Sequence, residues 1–253
     1  MLNVSLYPEK ERFIAKRGNV IAIGGPGSGK TTAALIRAGV ILENHTLRKG
    51  QSVLFLSFAR ATIARVIESS KRIGLSERTR ENIIIQTYHS FFWDILKASG
   101  YLLNGVRPTT ILTPHDASAI MAGIEGREER DRYKETLFEE TGKLHFDLFA
   151  RKCTEILSRS ESIRSIVSNK YPFIIVDEFQ DTDANEWDVV KLLSRDSEIT
   201  ALADPDQRIY EFRGANPKRI SEYLSVLNPE MYDFSAENYR NGGNDILSFG
   251  NEL

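Results

Sequence analysis

The sequence predicts an α/β fold in which a parallel sheet is flanked by helices and carries a helical insertion. Three observations lead there. Five short β-rich apolar runs alternate with helical patterns, a glycine-rich loop joins the first run to the first helical pattern, and a charged, helix-prone stretch from Lys97 to Lys170 separates the third run from the fourth.

The runs, in order, are Asn19 to Ile23 (NVIAI), Ser52 to Phe58 (SVLFLSF), Asn82 to Gln86 (NIIIQ), Phe173 to Val176 (FIIV) and Ile199 to Ala203 (ITALA). Continuous apolar runs of this length suit strands buried on both faces. Between the first two, Ala34, Leu35, Ala38, Ile41 and Leu42 recur at helical spacing, and between the second and third Ile63, Val66 and Ile67 do the same. The stretch from 97 to 170 has no convincing buried strand, and its charge run Gly126 to Glu140 (GREERDRYKETLFEE) reads as the solvated face of a helix. It is expected to be an α-helical insertion subdomain, leaving residues 1–96 and 171–235 as the core domain.

Composition narrows the class. A chain of 253 residues is long enough to bury a core without disulfides or a structural metal, and its single cysteine, Cys153, can form neither within the chain. With 33 Lys and Arg against 35 Asp and Glu, the net charge is −2, so contact with nucleic acid must come from a local surface rather than bulk attraction. No signal-peptide pattern follows Met1 and no apolar run approaches the ~20 residues that span a bilayer. A soluble, cytoplasmic protein with no membrane partner is expected.

Chemistry enters directly after the first run. Gly24, Gly25, Pro26, Gly27, Ser28, Gly29, Lys30 and Thr31 match G-x-x-x-x-G-K-[ST] in the strand-loop-helix setting that this motif requires, with Thr32 following. Glycines let the backbone turn its N–H groups inward, and the next helix presents its positive end to phosphate. Lys30 is expected to reach the β- and γ-phosphates and the Thr31 hydroxyl to ligate Mg²⁺. The fourth run ends in Asp177 and Glu178, at the strand edge where open α/β sheets bind ligands. Asp177 is expected to complete the Mg²⁺ shell and Glu178 to polarise the attacking water. Together these features point to nucleoside triphosphate hydrolysis.

The neighbourhood of those acids, Asp177-Glu178-Phe179-Gln180-Asp181-Thr182, resembles the DEFQDT block of UvrD/Rep/PcrA-type superfamily 1 DNA helicases. Three more blocks agree in the same order: Thr87-Tyr88-His89-Ser90-Phe91 with T-x-H-S-F, Asp204 to Ala215 (DPDQRIYEFRGA) with D-x-x-Q-x-I-Y-x-F-R-G-A, and Glu237-Asn238-Tyr239-Arg240 with E-N-Y-R. The resemblance implies a RecA-like P-loop motor domain that uses ATP and Mg²⁺, with residues 236–253 opening a second motor domain. It implies Gln207 as a γ-phosphate sensor and Arg240 as a cation on the transition state. Its DNA contacts fall on Phe58, Arg60, Thr87, His89, Tyr210, Phe212 and Arg213, the aromatics stacking single-stranded bases. Partners would be single-stranded DNA and duplex junctions, with 3′→5′ movement.

The chain also departs from that pattern. Lys10 in Tyr7-Pro8-Glu9-Lys10 stands where the family has a glutamine that reads adenine, Thr32 stands where an arginine is common, and Ala59-Arg60-Ala61-Thr62-Ile63 replaces a polar T-N-K-A-A block. Only 13 residues follow Arg240, among them one expected helix over 244–251. The second motor domain is therefore expected to be missing, the chain alone binding nucleotide with little hydrolysis and no unwinding. The alternative is a nucleotide-dependent DNA-binding or regulatory module that does not turn over.

Overall fold

The structure, a computed structural model, describes residues 8–44, 47–58, 60–206 and 218–235, with the backbone alone at Arg60 and Ala61. From the N-terminal side come α1 (Pro8–Ala15), β1 (Val20–Ile23), α2 (Lys30–Asn44), β2 (Val53–Ser57), α3 (Arg60–Arg72), α4 (Glu77–Glu81) and β3 (Ile83–Thr87). Next are α5 (Tyr88–Ser99), α6 (Tyr101–Asn104), β4 (Thr110–Ile111), α7 (Pro114–Met121), α8 (Arg127–Thr141), β5 (Lys143–Leu144), a 3₁₀ turn at Phe146–Leu148 and α9 (Phe149–Arg159). The remainder is α10 (Glu161–Lys170), β6 (Phe173–Val176), a 3₁₀ turn at Phe179–Asp181, α11 (Ala184–Leu193), β7 (Glu198–Ala203), α12 (Arg219–Leu227) and β8 (Glu230–Asp233). These elements form two units. One takes the described residues of Met1–Thr87, Ser168–Ala184 and Asp196–Leu253, the other Tyr88–Val167 and Asn185–Arg195.

The first unit is a six-stranded sheet in the order β3-β2-β6-β7-β1-β8, and every neighbouring pair is parallel. The α/β class expected from the runs is therefore the observed fold. All five runs form strands, with no end displaced by more than one residue. Every position of β2 and β6 is buried, as two-sided coverage requires. The sixth strand, β8, was not anticipated, because only Tyr232 of its four residues is buried and an edge strand shows little apolar pattern. On α3, Val66 is buried but Ile67 is 43% exposed, so the apolar stripe is narrower than the spacing suggested.

Register decides what meets at the end of the sheet. Ile23 pairs with Ala203, Leu56 with Val176 and Val176 with Ala201, so β1 and β7 end level and β6 ends two residues short of them. The ladder runs one residue further: Gly24 N donates to Ala203 O at 3.2 Å, and Asp177 N to Leu56 O at 2.9 Å. The phosphate loop and the two acids thus leave the sheet from strands β1 and β6, with β7 and Asp204 between them.

Two features tie α1 and α2 to this sheet. Phe13 meets Tyr232 and Phe234 edge-on, each at 5.5 Å between ring centroids. Arg37, in the buried face of α2, donates to Phe13 O at 2.7 Å, to Gly18 O at 3.3 Å and to Thr200 Oγ1 at 3.2 Å. Its guanidinium therefore satisfies carbonyls of the last turn of α1 and of the chain just past it. Burial lowers its pKa to about 10, partly offset by Glu198.

The second unit is mainly helical, with Phe91, Phe92, Phe138, Cys153 and Trp187 in its core. It also contains a two-stranded parallel pairing of β4 with β5, absent from the sequence expectation because each strand is two residues long. The charged face of α8 is largely exposed as expected, yet Lys134 is buried and paired to Asp131 at 2.9 Å and Asp147 at 2.7 Å.

Candidate functional site

At the C-terminal edge of the first unit's sheet lies a cavity of about 560 Å³, within the usual range for small-molecule sites. It is lined by Lys10, by residues 26–33 of the phosphate loop and early α2, by residues of α3 including Arg65 and Arg72, and by Asp177, Glu178 and Asp204. The expected loop residues and the expected acids are thus brought together.

Local geometry explains the loop. Gly29 has φ +85°, a conformation that glycine adopts without steric cost, and its carbonyl accepts from Ala33 N at 2.9 Å to start α2. A Cβ on Gly24 would lie 2.9 Å from Ser28 Oγ and 3.1 Å from the Phe234 carbonyl carbon, so only glycine fits. Lys30 turns its ammonium inward and donates to the carbonyls of Gly24 and, at 3.0 Å, Gly25. Ser28 Oγ is buried with no hydrogen-bond partner among the described residues. A buried orphan hydroxyl, an inward ammonium and the first amides of a helix make an anion cradle, so these residues fit a triphosphate.

The acids form a second cluster. Asp177 is 4% exposed, and burial together with Glu178 pushes its pKa up to about 7, opposed by Lys30. Burial, with Glu178 and Asp204, likewise pushes Asp181 up to about 7. Such crowding of like charge favours a cation. No group of three or more His, Cys, Asp or Glu among the described residues could hold a metal by itself. Mg²⁺ fits nonetheless, because it keeps few protein ligands and takes its other oxygens from phosphates and water. Thr31 and Asp177 supply hard oxygen donors of the right kind.

Glu178 adopts φ +50° and ψ 45°, an uncommon left-handed conformation for a side-chain-bearing residue. Its carboxylate accepts from Gln180 Nε2 at 2.9 Å, and Gln180 Oε1 accepts from Asp204 N at 2.9 Å. Gln180 and Asp204 were not singled out as site residues, although both stand in quoted motif blocks.

Of the expected DNA contacts, Phe58 follows β2 and is half-buried, Thr87 ends β3 and His89 is exposed on α5. Gln207, Tyr210, Phe212, Arg213 and Arg240 lie outside the described residues, as do the Arg60 side chain and the expected helix over 244–251. In the second unit His89 has aromatic neighbours, its ring 6.4 Å from Phe146 and 6.2 Å from Phe149. Phe146 is 41% exposed and stacks on His145 at 4.3 Å, while Phe149 stacks on Trp93 at 5.6 Å. An exposed phenyl backed by a buried imidazole presents a π-face to solvent. Sequence reading missed Phe146, which stands in a segment without a clear apolar period.

The family model described as UvrD/REP helicase N-terminal domain matches residues 6–139 and 128–226. The chain is similar to ATP-dependent DNA helicase Rep of Buchnera aphidicola, at 25% identity over 98% of this chain and 44% of that protein. It is similar to ATP-dependent DNA helicase Rep of Escherichia coli at 27% identity, over 93% of this chain and 41% of that protein. It is also similar to ATP-dependent DNA helicase PcrA of Staphylococcus aureus at 22%, over 100% and 40%. The chain therefore spans less than half the length of these relatives. No helix among the described residues is long and apolar enough to cross a membrane.

Proposed function

The chain belongs to the family of UvrD/REP helicase N-terminal domains, and from that premise we propose that it is the nucleotide-binding half of an ATP-driven motor on single-stranded DNA. The observation that carries this is the single cavity uniting the phosphate loop, Asp177, Glu178 and Asp204. In this reading Lys30 moves from the loop carbonyls to the β- and γ-phosphates, and Thr31 and Asp177 would hold Mg²⁺, which would supply positive charge against the phosphates. Glu178, held by Gln180, orients the attacking water and accepts its proton. Gln207 and Arg240 remain proposed from the motif blocks as γ-phosphate sensor and transition-state cation.

The DNA contacts proposed are Phe58, Arg60, Thr87, His89, Tyr210, Phe212 and Arg213, to which the exposed Phe146 is added. Stacking on aromatics suits a chain without net positive charge, since it is sequence-tolerant and needs few cations. Residues 97–170 are proposed as an insertion subdomain and 236–253 as the start of a second motor domain. Movement 3′→5′ and duplex unwinding belong to the whole motor, the chain alone binding nucleotide with little turnover.

The test is ATP hydrolysis with and without single-stranded DNA, in this chain and in any longer form of it. Stimulation of the longer form by single strands supports the motor. Hydrolysis indifferent to single strands overturns it, and a chain that binds both ligands without turnover in any form supports a regulatory module instead.

A further inference from the structure

Ser57 ends β2 with a hydroxyl that the nucleotide reading leaves unused. It is 1% exposed, and its Oγ is buried with no hydrogen-bond partner among the described residues. A hydroxyl in that position carries a desolvation cost with nothing to offset it.

Register shows what it faces. Val53 pairs with Phe173 and Phe55 with Ile175, and all four belong to the core cluster that also takes Ala33, Ala34 and Leu35 of α2. The bond from Asp177 N to Leu56 O carries the ladder past Val176, so Ser57 and Asp177 form the next pair on that α2-facing side. Paired residues of neighbouring strands lie about 4.8 Å apart, within reach of a side-chain hydrogen bond. On its other side Ser57 pairs with Thr87, a neutral residue, whereas Asp177 is an acid, 4% exposed, that lines the cavity. Ser57 is not among the described residues lining that cavity. It stands behind Asp177 rather than in the nucleotide site.

An ionised carboxylate only accepts, so a hydroxyl beside it becomes the donor, and carboxylates that hold metals are themselves held by such outer groups. A backbone hydrogen bond from Glu178 already reaches Asp177. Ser57 offers a second donor, from the neighbouring strand. We propose that Ser57 is a positioning residue for the divalent cation, donating its hydroxyl hydrogen to Asp177 while Asp177 holds Mg²⁺. The proposal rests on the reading of Asp177 as a Mg²⁺ ligand at a triphosphate site, and adds to it a residue that touches neither nucleotide nor metal.

The experiment measures how tightly the intact chain binds a fluorescent, non-hydrolysable ATP analogue, once with saturating Mg²⁺ and once with EDTA, so that the metal's contribution is read without turnover. In the unaltered chain Mg²⁺ should tighten binding. Ser57→Ala should weaken the Mg²⁺-supported affinity about tenfold, the scale on which outer partners act at metal sites, and leave the affinity in EDTA unchanged. Ser57→Thr keeps the hydroxyl and should keep the gain from Mg²⁺, whereas Ser57→Val, of the same shape without it, should lose the gain. The proposal is overturned if Ser57→Ala keeps the gain, if it weakens binding equally with and without Mg²⁺ as a packing defect would, or if Val supports the gain as well as Thr. Should the two larger side chains fail to fold, Ser57→Ala, which only removes an oxygen, decides alone. Failure of the underlying reading looks different: the unaltered chain would gain nothing from Mg²⁺, or Asp177→Ala would leave the gain intact, and either result overturns both.

Discussion

Gln180 links the two acidic strand ends, donating from Nε2 to Glu178 Oε2 at 2.9 Å while its Oε1 accepts from the backbone N–H of Asp204 at 2.9 Å. It is 7% exposed and also reaches Asp181 Oδ2 at 3.3 Å. One amide thus bridges two carboxylates and the backbone of Asp204. Gln180→Leu should leave the Asp204 N–H without its acceptor and Glu178 without its donor, costing about 1–3 kcal/mol of stability, read as a shifted urea midpoint at unchanged slope. An unchanged midpoint would show that the bridge contributes nothing.

Lys30 and Glu178 should separate binding from chemistry. Removing one charge-assisted phosphate contact in Lys30→Ala is expected to weaken nucleotide binding about tenfold to a hundredfold. Glu178→Gln keeps size and hydrogen bonding but removes the base, so affinity should hold while single-turnover hydrolysis falls. Equal affinity for Lys30→Ala and the parent chain, by titration with a fluorescent nucleotide, would overturn the loop assignment.

How much of this was legible depends on where the information sits. The loop and its acids are local motifs, and β2 and β6 are continuous apolar runs, so both could be read directly. Strand order could not, because it depends on pairings such as Val53 with Phe173, 120 positions apart. Arg37 is the sharpest case. A cation at 1% exposure contradicts any apolar-face pattern, and it is tolerated only because the end of α1 and the chain after it bring carbonyls to its five donors. Phe146 and Gln180 escaped in part for the same reason, since His89 and Asp204, which complete their surroundings, come from other segments of the chain.

Acid should loosen the sheet through Glu198. Burial disfavours its charge, but hydrogen bonds from Arg17 and from Gly18 N at 2.7 Å outweigh this and hold the carboxyl below its ordinary 4.5. A carboxyl with a depressed folded-state pKa adds stability above its unfolded pKa and loses it as pH falls through the folded one. Unfolding free energy should therefore fall below about pH 4.5, and Glu198→Gln should flatten that part of the profile. An identical acid limb in both chains would remove Glu198 from the account.

Phe146 provides the cleanest test of the aromatic surface, because at 41% exposure its loss should barely disturb the core. If a base stacks there, Phe146→Ala should cost about 1–3 kcal/mol of single-strand binding, with a salt dependence parallel to that of the parent chain, because stacking releases no counterions. Phe146→Trp should retain or improve binding. A loss caused instead by disturbed packing around Phe149 and Trp93, which stack at 5.6 Å, would appear as a lowered thermal midpoint. Unchanged binding with an unchanged midpoint would leave the single strand to the other proposed contacts.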